Sequence, residues 1–304
     1  DLSTLCEHES AVAGFTTELG QSYETIDLLY SLGRSMLDLQ HPDRFVTQAC
    51  DRLHETMPFG WLAAKFVPDF DAAGSMAAKL LSRGKLPGPV AEFDAAALRV
   101  AGSLTPETRG YLVPESQPFF AGKESRILAQ PIIRNGRVAG IMICGDKKGD
   151  DPQISSYDMQ LLEAAAAFSG AFLENAGLYQ NQQEMFLGSL KALTAAIDAK
   201  DRYTCGHSER VALMARELAL ASGMPSAQAD RVHIAGLLHD VGKIGVPEAV
   251  LCKAGRLTDA EFALIRLHPE IGHRILKDIP MLGDILPGVL NHHERWDGKG
   301  YPQG

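Results

Sequence analysis

Hydrophobic positions along this chain recur with two different periods, and the change from one to the other divides it. Residues 1 to about 40 predict a helix: Leu28, Leu29, Leu32 and Met36 fall at helical spacing, with few breakers after Gly20. Asp43 opens a second amphipathic stretch through Phe45, Ala49, Leu53 and Met57, which Pro58 and Gly60 close. Short apolar runs of strand length follow at 61–67, 76–81, 126–133 and 137–144. Asn135-Gly136 joins the last two, a strong hairpin signal because both residues tolerate the positive φ of a type I′ turn. An antiparallel sheet flanked by helices is the economical solution, since an open sheet must cover its apolar face.

Helical spacing then returns. From Ser156 to about Ala199 there is no proline, and Leu161, Ala165, Phe168, Phe172, Tyr179, Phe186 and Leu193 form a heptad-like seam broken by polar Asn175, Gln182 and Ser189. The pattern predicts one helix that leaves a first domain and enters a second. Its polar members suit a helix that rotates or changes register, although a plain connector would read the same way. Shorter helices follow. Ser208 is expected to cap one carrying Val211, Met214, Ala215 and Leu218, ended by Gly223; Ser226 to cap another carrying Val232, Ala235, Leu238 and His239. Thr258 and Glu261 form a capping box before Phe262, Ile265 and His268. With no strand expected beyond residue 185, the fold class is α+β: a sheet-and-helix half, a connecting helix, and an all-α half.

A length of 304 residues fits about two domains, and 45% hydrophobic with 22% charged residues is an ordinary globular balance. The net charge of −9, with no Lys/Arg-rich run, argues against duplex nucleic acid or an anionic membrane as partner. A small anion held by metal or by local cations remains compatible with it. Cys6, Cys50, Cys144, Cys205 and Cys252 are odd in number and scattered, forming neither a disulfide framework nor a thiolate zinc site, so reduced, mostly buried thiols and a cytoplasmic location are expected. No apolar run reaches the length of a membrane span. The chain begins at Asp1 without Met, and we read it as an excerpt of a longer protein.

Histidine changes the picture most. His8, His41 and His54 are the only three in the first 206 residues, whereas His207, His233, His239, His268, His273, His292 and His293 crowd the remainder. His239-Asp240 falls at the end of a predicted helix, before Val241-Gly242-Lys243. Neighbours on a helix point about 100° apart, so the pair can share an ion only if other helices supply further ligands; His207, His268 and His292-His293 can. Imidazoles with a bridging carboxylate and no thiolate suit Fe, Mn, Ni or Zn, and two such ions would clamp a phosphodiester. A single helical histidine is more often structural, and His-Asp or His-His pairs arise by chance. Their coincidence within one short stretch, beside Lys243, carries the reading. His233 and His273 are expected to face elsewhere.

Two resemblances follow. Residues 128–133, Asn135-Gly136, residues 138–144 and the helix from Ser155 to Tyr179 with its Glu174-Asn175-Ala176 resemble the end of a GAF domain, covering residues 26–180 after an N-terminal helix over 1–25. This resemblance implies a sensor fold for an unidentified small ligand, or a domain that only dimerises and transmits. The segments Asp201-Arg-Tyr-Thr-Cys-Gly-His207-Ser, His239-Asp240-Val-Gly-Lys243-Ile-Gly, Leu267-His268-Pro and His292-His293-Glu294-Arg-Trp-Asp297-Gly-Lys-Gly300-Tyr301-Pro302 resemble the HD-GYP family over 186–304, with 156–199 as the linking helix.

The second resemblance implies a cyclic di-GMP phosphodiesterase giving pGpG and, further on, GMP. His207, His239 and Asp240 would hold one divalent ion, with Asp240 bridging to a second on His268 and His292; His293 is a ligand in some members. Lys243 would bind the scissile phosphate, Asp201 would transfer a proton to the leaving oxygen, and Asp297, Gly300, Tyr301 and Pro302 would contact substrate. Tyr203 stands where three-metal relatives carry Glu, so two ions are expected. The family continues past the position of Gly304 with an Asp completing the first metal, so the segment ending here is expected to be C-terminally incomplete. The alternatives are a catalytically silent module that binds cyclic di-GMP or proteins through the Gly-Tyr-Pro surface, and a mononucleotide phosphohydrolase of the wider HD class. A homodimer through the helices is expected.

Overall fold

The Asn135-Gly136 turn is realised in the computed structural model: both residues take positive φ, 50° and 69°, and set Arg134 opposite Arg137. Residues 2–69, 76–114, 117, 119–120, 126–149, 153–200 and 206–304 are described. They fall into two units, residues 1–182 and 183–304.

In the first unit the order is α1 (Leu2–Ser35), α2 (Pro42–Thr56), β1 (Phe59–Phe66), β2 (Leu80–Gly84), α3 (Val90–Ser103), β3 (Tyr111–Leu112), β4 (Leu128–Arg134), β5 (Arg137–Lys147) and the first part of α4 (Ser156–Lys200). The strands make one antiparallel sheet in the order β2-β1-β5-β4-β3. β1 is almost uniformly apolar because both sheet faces are covered. Leu62, Ala64 and Phe66 face a core built with Leu28 and Leu32 of α1, the buried face of α2, and Leu161, Leu162, Ala165, Phe172 and Leu173 of α4. Trp61 and Ala63 face the opposite core, with Phe93, Ala96, Ala97 and Val100 of α3.

One charge interrupts the second face. Lys65, also on β1, is 1% exposed; its Nζ lies 2.6 Å from Asp94 Oδ1 on α3 and donates to the Ala78 carbonyl at 2.6 Å. A buried ammonium needs both partners to offset its lost hydration.

The second unit contains the rest of α4, then α5 (His207–Ala221), α6 (Ser226–Leu238), a 3₁₀ turn (Val241–Gly245), α7 (Glu248–Leu251), α8 (Asp259–Ile265), α9 (His268–Leu276), a 3₁₀ turn (Pro280–Leu282) and α10 (Leu286–Asn291). Only helices occur among its described residues. Leu190 and Ile197 of α4 pack with Ala212, Leu237, Leu238, Val241, Leu276 and Val289.

Several expectations require correction. The residues from Leu161 to Leu193 do not form one continuous seam: Leu161, Ala165, Phe168 and Phe172 serve the first unit's core and Phe186 and Leu193 the second's, because each unit needs its own covering face. The strand expected at 76–81 lies instead at Leu80–Gly84. α3 and β3 had no expected counterpart. Ser208 and Ser226 are not caps: α5 is preceded by Gly206 and α6 by Pro225, neither making a side-chain cap bond, and the Ser208 hydroxyl donates to Asp198. The Thr258–Glu261 capping box is present, but α8 ends at Ile265 and His268 begins the next helix. Cys50 and Cys144 are buried free thiols, and burial pushes Cys50 up to about 12; Cys252 is half-buried, while Cys6 and Cys205 lie outside the described side chains. Among the described residues, no helix is long and apolar enough to cross a membrane.

Candidate metal centre

Four helix boundaries bring the histidines together. His207 opens α5, His239 follows α6, His268 opens α9, and His292 follows α10 with His293 next to it. Asp240, 6% exposed, lies at the centre and divides its two oxygens between two sets of rings. Oδ2 is 3.2 Å from His239 Nε2 and 2.8 Å from Lys243 Nζ. Oδ1 is 3.2 Å from His268 Nε2 and 3.8 Å from His292 Nε2. Potential ligand atoms of His207, His239 and Asp240 lie within 4.8 Å of one another, and so do those of Asp240, His268, His292 and His293. The ring of His207 stands 5.6 Å from that of His239.

The donor set fits a cation. Nδ1 of His239 is 2.7 Å from the Gly236 carbonyl, Nδ1 of His268 2.6 Å from that of Ile265, and Nδ1 of His292 2.9 Å from that of Val289. A carbonyl only accepts, so each Nδ1 carries a proton and Nε2 is the atom turned inward, the arrangement typical of metal-binding histidines. Nε2 of His268 and Nε2 of His292 are 3.1 Å apart, and with neither atom protonated two lone pairs would face each other. That approach is unfavourable unless a proton or a metal ion lies between them.

Electrostatics point the same way. Burial raises the Asp240 carboxyl, but hydrogen bonds from His239, His268 and Lys243 outweigh it and hold the group well below the usual carboxylate range. Burial pushes His292 down to about 4, helped by the neighbouring histidines, and lowers His293 as well. For His239 burial lowers the pKa, yet the contact with Asp240 outweighs it and raises the group overall. The result is a carboxylate surrounded by rings, of which at least His292 is neutral at pH 7.

The turn after Asp240 is shaped by close packing. A Cβ on Gly242 would run into the His268 carbonyl and approach the Gly272 nitrogen at 2.5 Å. Gly242→Ala is therefore expected to destabilise the protein by about 3 kcal/mol in thermal unfolding. Gly188→Ala, in open space on α4, should be neutral or slightly stabilising. Equal melting temperatures for the two variants would contradict the packing argument.

Lys200, at the end of α4, donates from Nζ to the carbonyls of Ile244 (2.9 Å) and Val246 (2.8 Å), fixing the turn that carries Lys243. Sequence reasoning missed this residue; a lysine in a helix's last turn is too common to be a signal. Asp297, expected to contact substrate, is paired with Arg295 through Oδ1 (2.9 Å) and Oδ2 (2.7 Å), and accepts the Lys299 N–H. Gly300 permits a tight approach to its own loop, since a Cβ there would lie 2.5 Å from Glu294 Cα. Glu294 accepts from the Gln303 and Gly304 nitrogens, closing the loop. Tyr301, followed by a cis bond to Pro302, stacks on His293 with 4.5 Å between ring centroids. His233 and His273 join neither cluster. Asp201 and Tyr203 lie outside the described residues.

In comparison with known proteins, residues 191–304 match the HD domain family. This segment is an HD domain. A 3′3′-cGAMP-specific phosphodiesterase of Vibrio cholerae is 33% identical over 186 residues, 58% of this chain and 36% of that protein. A cyclic di-GMP phosphodiesterase of Pseudomonas aeruginosa is 43% identical over 109 residues, 36% of this chain and 26% of that protein. One from Thermotoga maritima is 37% identical over 128 residues, 41% of this chain and 35% of that protein. The chain thus spans about a third or less of the length of these relatives. All six histidine and aspartate residues of the two clusters, and Lys243, fall within the HD domain.

Proposed function

We propose that the HD domain is a metal-dependent phosphodiesterase of cyclic dinucleotides, with cyclic di-GMP as substrate. The observation that carries this reading is the division of the Asp240 carboxylate, one oxygen toward His239 and the other toward His268 and His292. His207, His239 and Asp240 would hold one divalent ion, and Asp240, His268 and His292 the second, with His293 beside it. Fe, Mn, Ni or Zn suits these nitrogen and oxygen donors. Bound there, such ions supply Lewis acidity at a phosphoryl oxygen and activation of water at neutral pH. Lys243 then offers its ammonium to the charge developing on the scissile phosphate, held in place by Asp240 and by the turn that Lys200 fixes. Asp201 would carry the proton to the leaving oxygen. The Gly300-Tyr301-Pro302 loop would form the guanine side of the pocket, giving linear pGpG and, by a second cut, GMP.

For the first unit we infer a GAF-type sensor of an unidentified small ligand, supported by its five-stranded antiparallel sheet with helices on both faces. A homodimer is inferred from the exposed apolar residues Val12, Phe15, Leu19, Tyr23, Ile26 and Tyr30 along α1.

The test is turnover by the Mn- or Fe-loaded protein of cyclic di-GMP, 3′,3′-cGAMP and GMP-containing mononucleotides, with products resolved by chromatography. Linear dinucleotide from cyclic di-GMP is expected. Binding without turnover, unchanged by chelator, would favour a silent binding module, and cleavage of mononucleotides alone would reject the substrate class.

A further inference from the structure

Arg266 follows the last residue of α8 and stands two positions before His268. Its guanidinium carbon lies 5.2 Å from the Phe262 ring centroid and 5.0 Å from that of Tyr301. Tyr301 stacks on His293 at 20°, and His293 belongs to the cluster around Asp240. The guanidinium is therefore separated from that cluster by one aromatic ring in contact with it. Nearby cations are committed: Lys243 to Asp240, Lys253 to Glu261 and Arg295 to Asp297. Arg266 is exposed and makes no ion pair among the described residues.

Two ring contacts at an exposed site are individually weak, a poor reason by themselves to hold a cation there. They do fix its direction, and a fixed planar guanidinium is suited to bidentate recognition of phosphate. A cyclic dinucleotide carries two phosphodiesters on one macrocycle. With one at the Asp240 cluster beside Lys243, the other must project away from the ions.

Resting on the cyclic dinucleotide reading above, we propose that Arg266 binds the second, uncleaved phosphodiester of the substrate, held toward it by Phe262 and Tyr301. It is then a specificity-determining residue that separates cyclic dinucleotides from simple diesters.

The test compares Arg266→Ala and Arg266→Lys with the unmodified sequence in metal-loaded protein. Cyclic di-GMP is set beside bis(p-nitrophenyl) phosphate, a diester with a single phosphate. Arg266→Ala should raise KM for cyclic di-GMP about tenfold, the size of one lost charge-assisted hydrogen bond, with kcat within about twofold. Its kcat/KM for the simple diester should not change, and Arg266→Lys should recover part of the loss. Calorimetric affinity for a non-hydrolysable phosphorothioate analogue should fall by the same factor. Equal losses on both substrates would show that Arg266 only supports Tyr301 and His293, and would overturn the proposal, as would an unchanged KM. Unmodified protein that cleaves the simple diester but no cyclic dinucleotide would reject the underlying reading, a result separable from failure of the Arg266 assignment alone.

Discussion

Asp240→Asn should lower turnover of cyclic di-GMP by about 10³-fold or more while leaving the helical circular dichroism of the protein intact. The amide preserves the shape of the side chain but removes the charge that faces both histidine sets, and loss of a single electrostatic element at such a centre costs that order of rate. Oδ1 and Oδ2 are each within 3.2 Å of a ring nitrogen, so an amide can offer its one oxygen to one set only. Its NH₂ group on the other side would repel any cation. Metal content measured by mass spectrometry should accordingly fall. Asparagine is the informative choice because its amide oxygen can still accept from the largely buried Lys243 ammonium, whereas alanine would remove that acceptor and the side-chain volume as well, adding a larger stability effect to the catalytic one. Turnover within tenfold of the unmodified protein, at equal metal content, would reject the bridging role.

The second large effect concerns stability of the first unit. Asp94→Ala is expected to cost about 3 kcal/mol in denaturant unfolding, the lower end for a broken buried pair because a third of the Asp94 side chain is exposed. It strands an ammonium left with the Ala78 carbonyl as its acceptor among the described residues. Lys65→Met with Asp94→Ala should recover most of the loss, since methionine fits an apolar site of similar volume and leaves no charge behind. If the double variant is no more stable than Asp94→Ala, the cost does not arise from the stranded charge.

Much of the site was legible in the sequence, and for a physical reason. Ligand chemistry depends on residue type, so His207, His239, Asp240, His268, His292 and His293 stand out before any fold is known, and the structure brings all six into two groups sharing Asp240. The Asn135-Gly136 hairpin and the Thr258 capping box were equally visible, because each is a local device whose whole geometry lies within four residues. What the sequence concealed depends on distant partners. β3 is two residues long and exists only because it pairs with β4. Ser208 looks like a cap, but Asp198 on the preceding helix takes its hydroxyl. The seam of α4 reads as one stripe, although its two ends answer to different cores. Lys200 and Arg266 owe their interest to neighbours 44 and 35 residues away.

The three histidines that donate Nδ1 to carbonyls three residues earlier have one further consequence. Gly236 and Val289 lie in the last turns of α6 and α10, and Ile265 ends α8, where backbone carbonyls run out of helical partners. Each imidazole thus completes a helix end with one nitrogen while aiming the other at Asp240. The rotamers are frozen as part of folding itself, so an arriving ion meets rings that have already lost their freedom. The entropy of organising the centre is charged to the fold and not to the metal, which makes this a preassembled receptor rather than one that the ion must gather around itself.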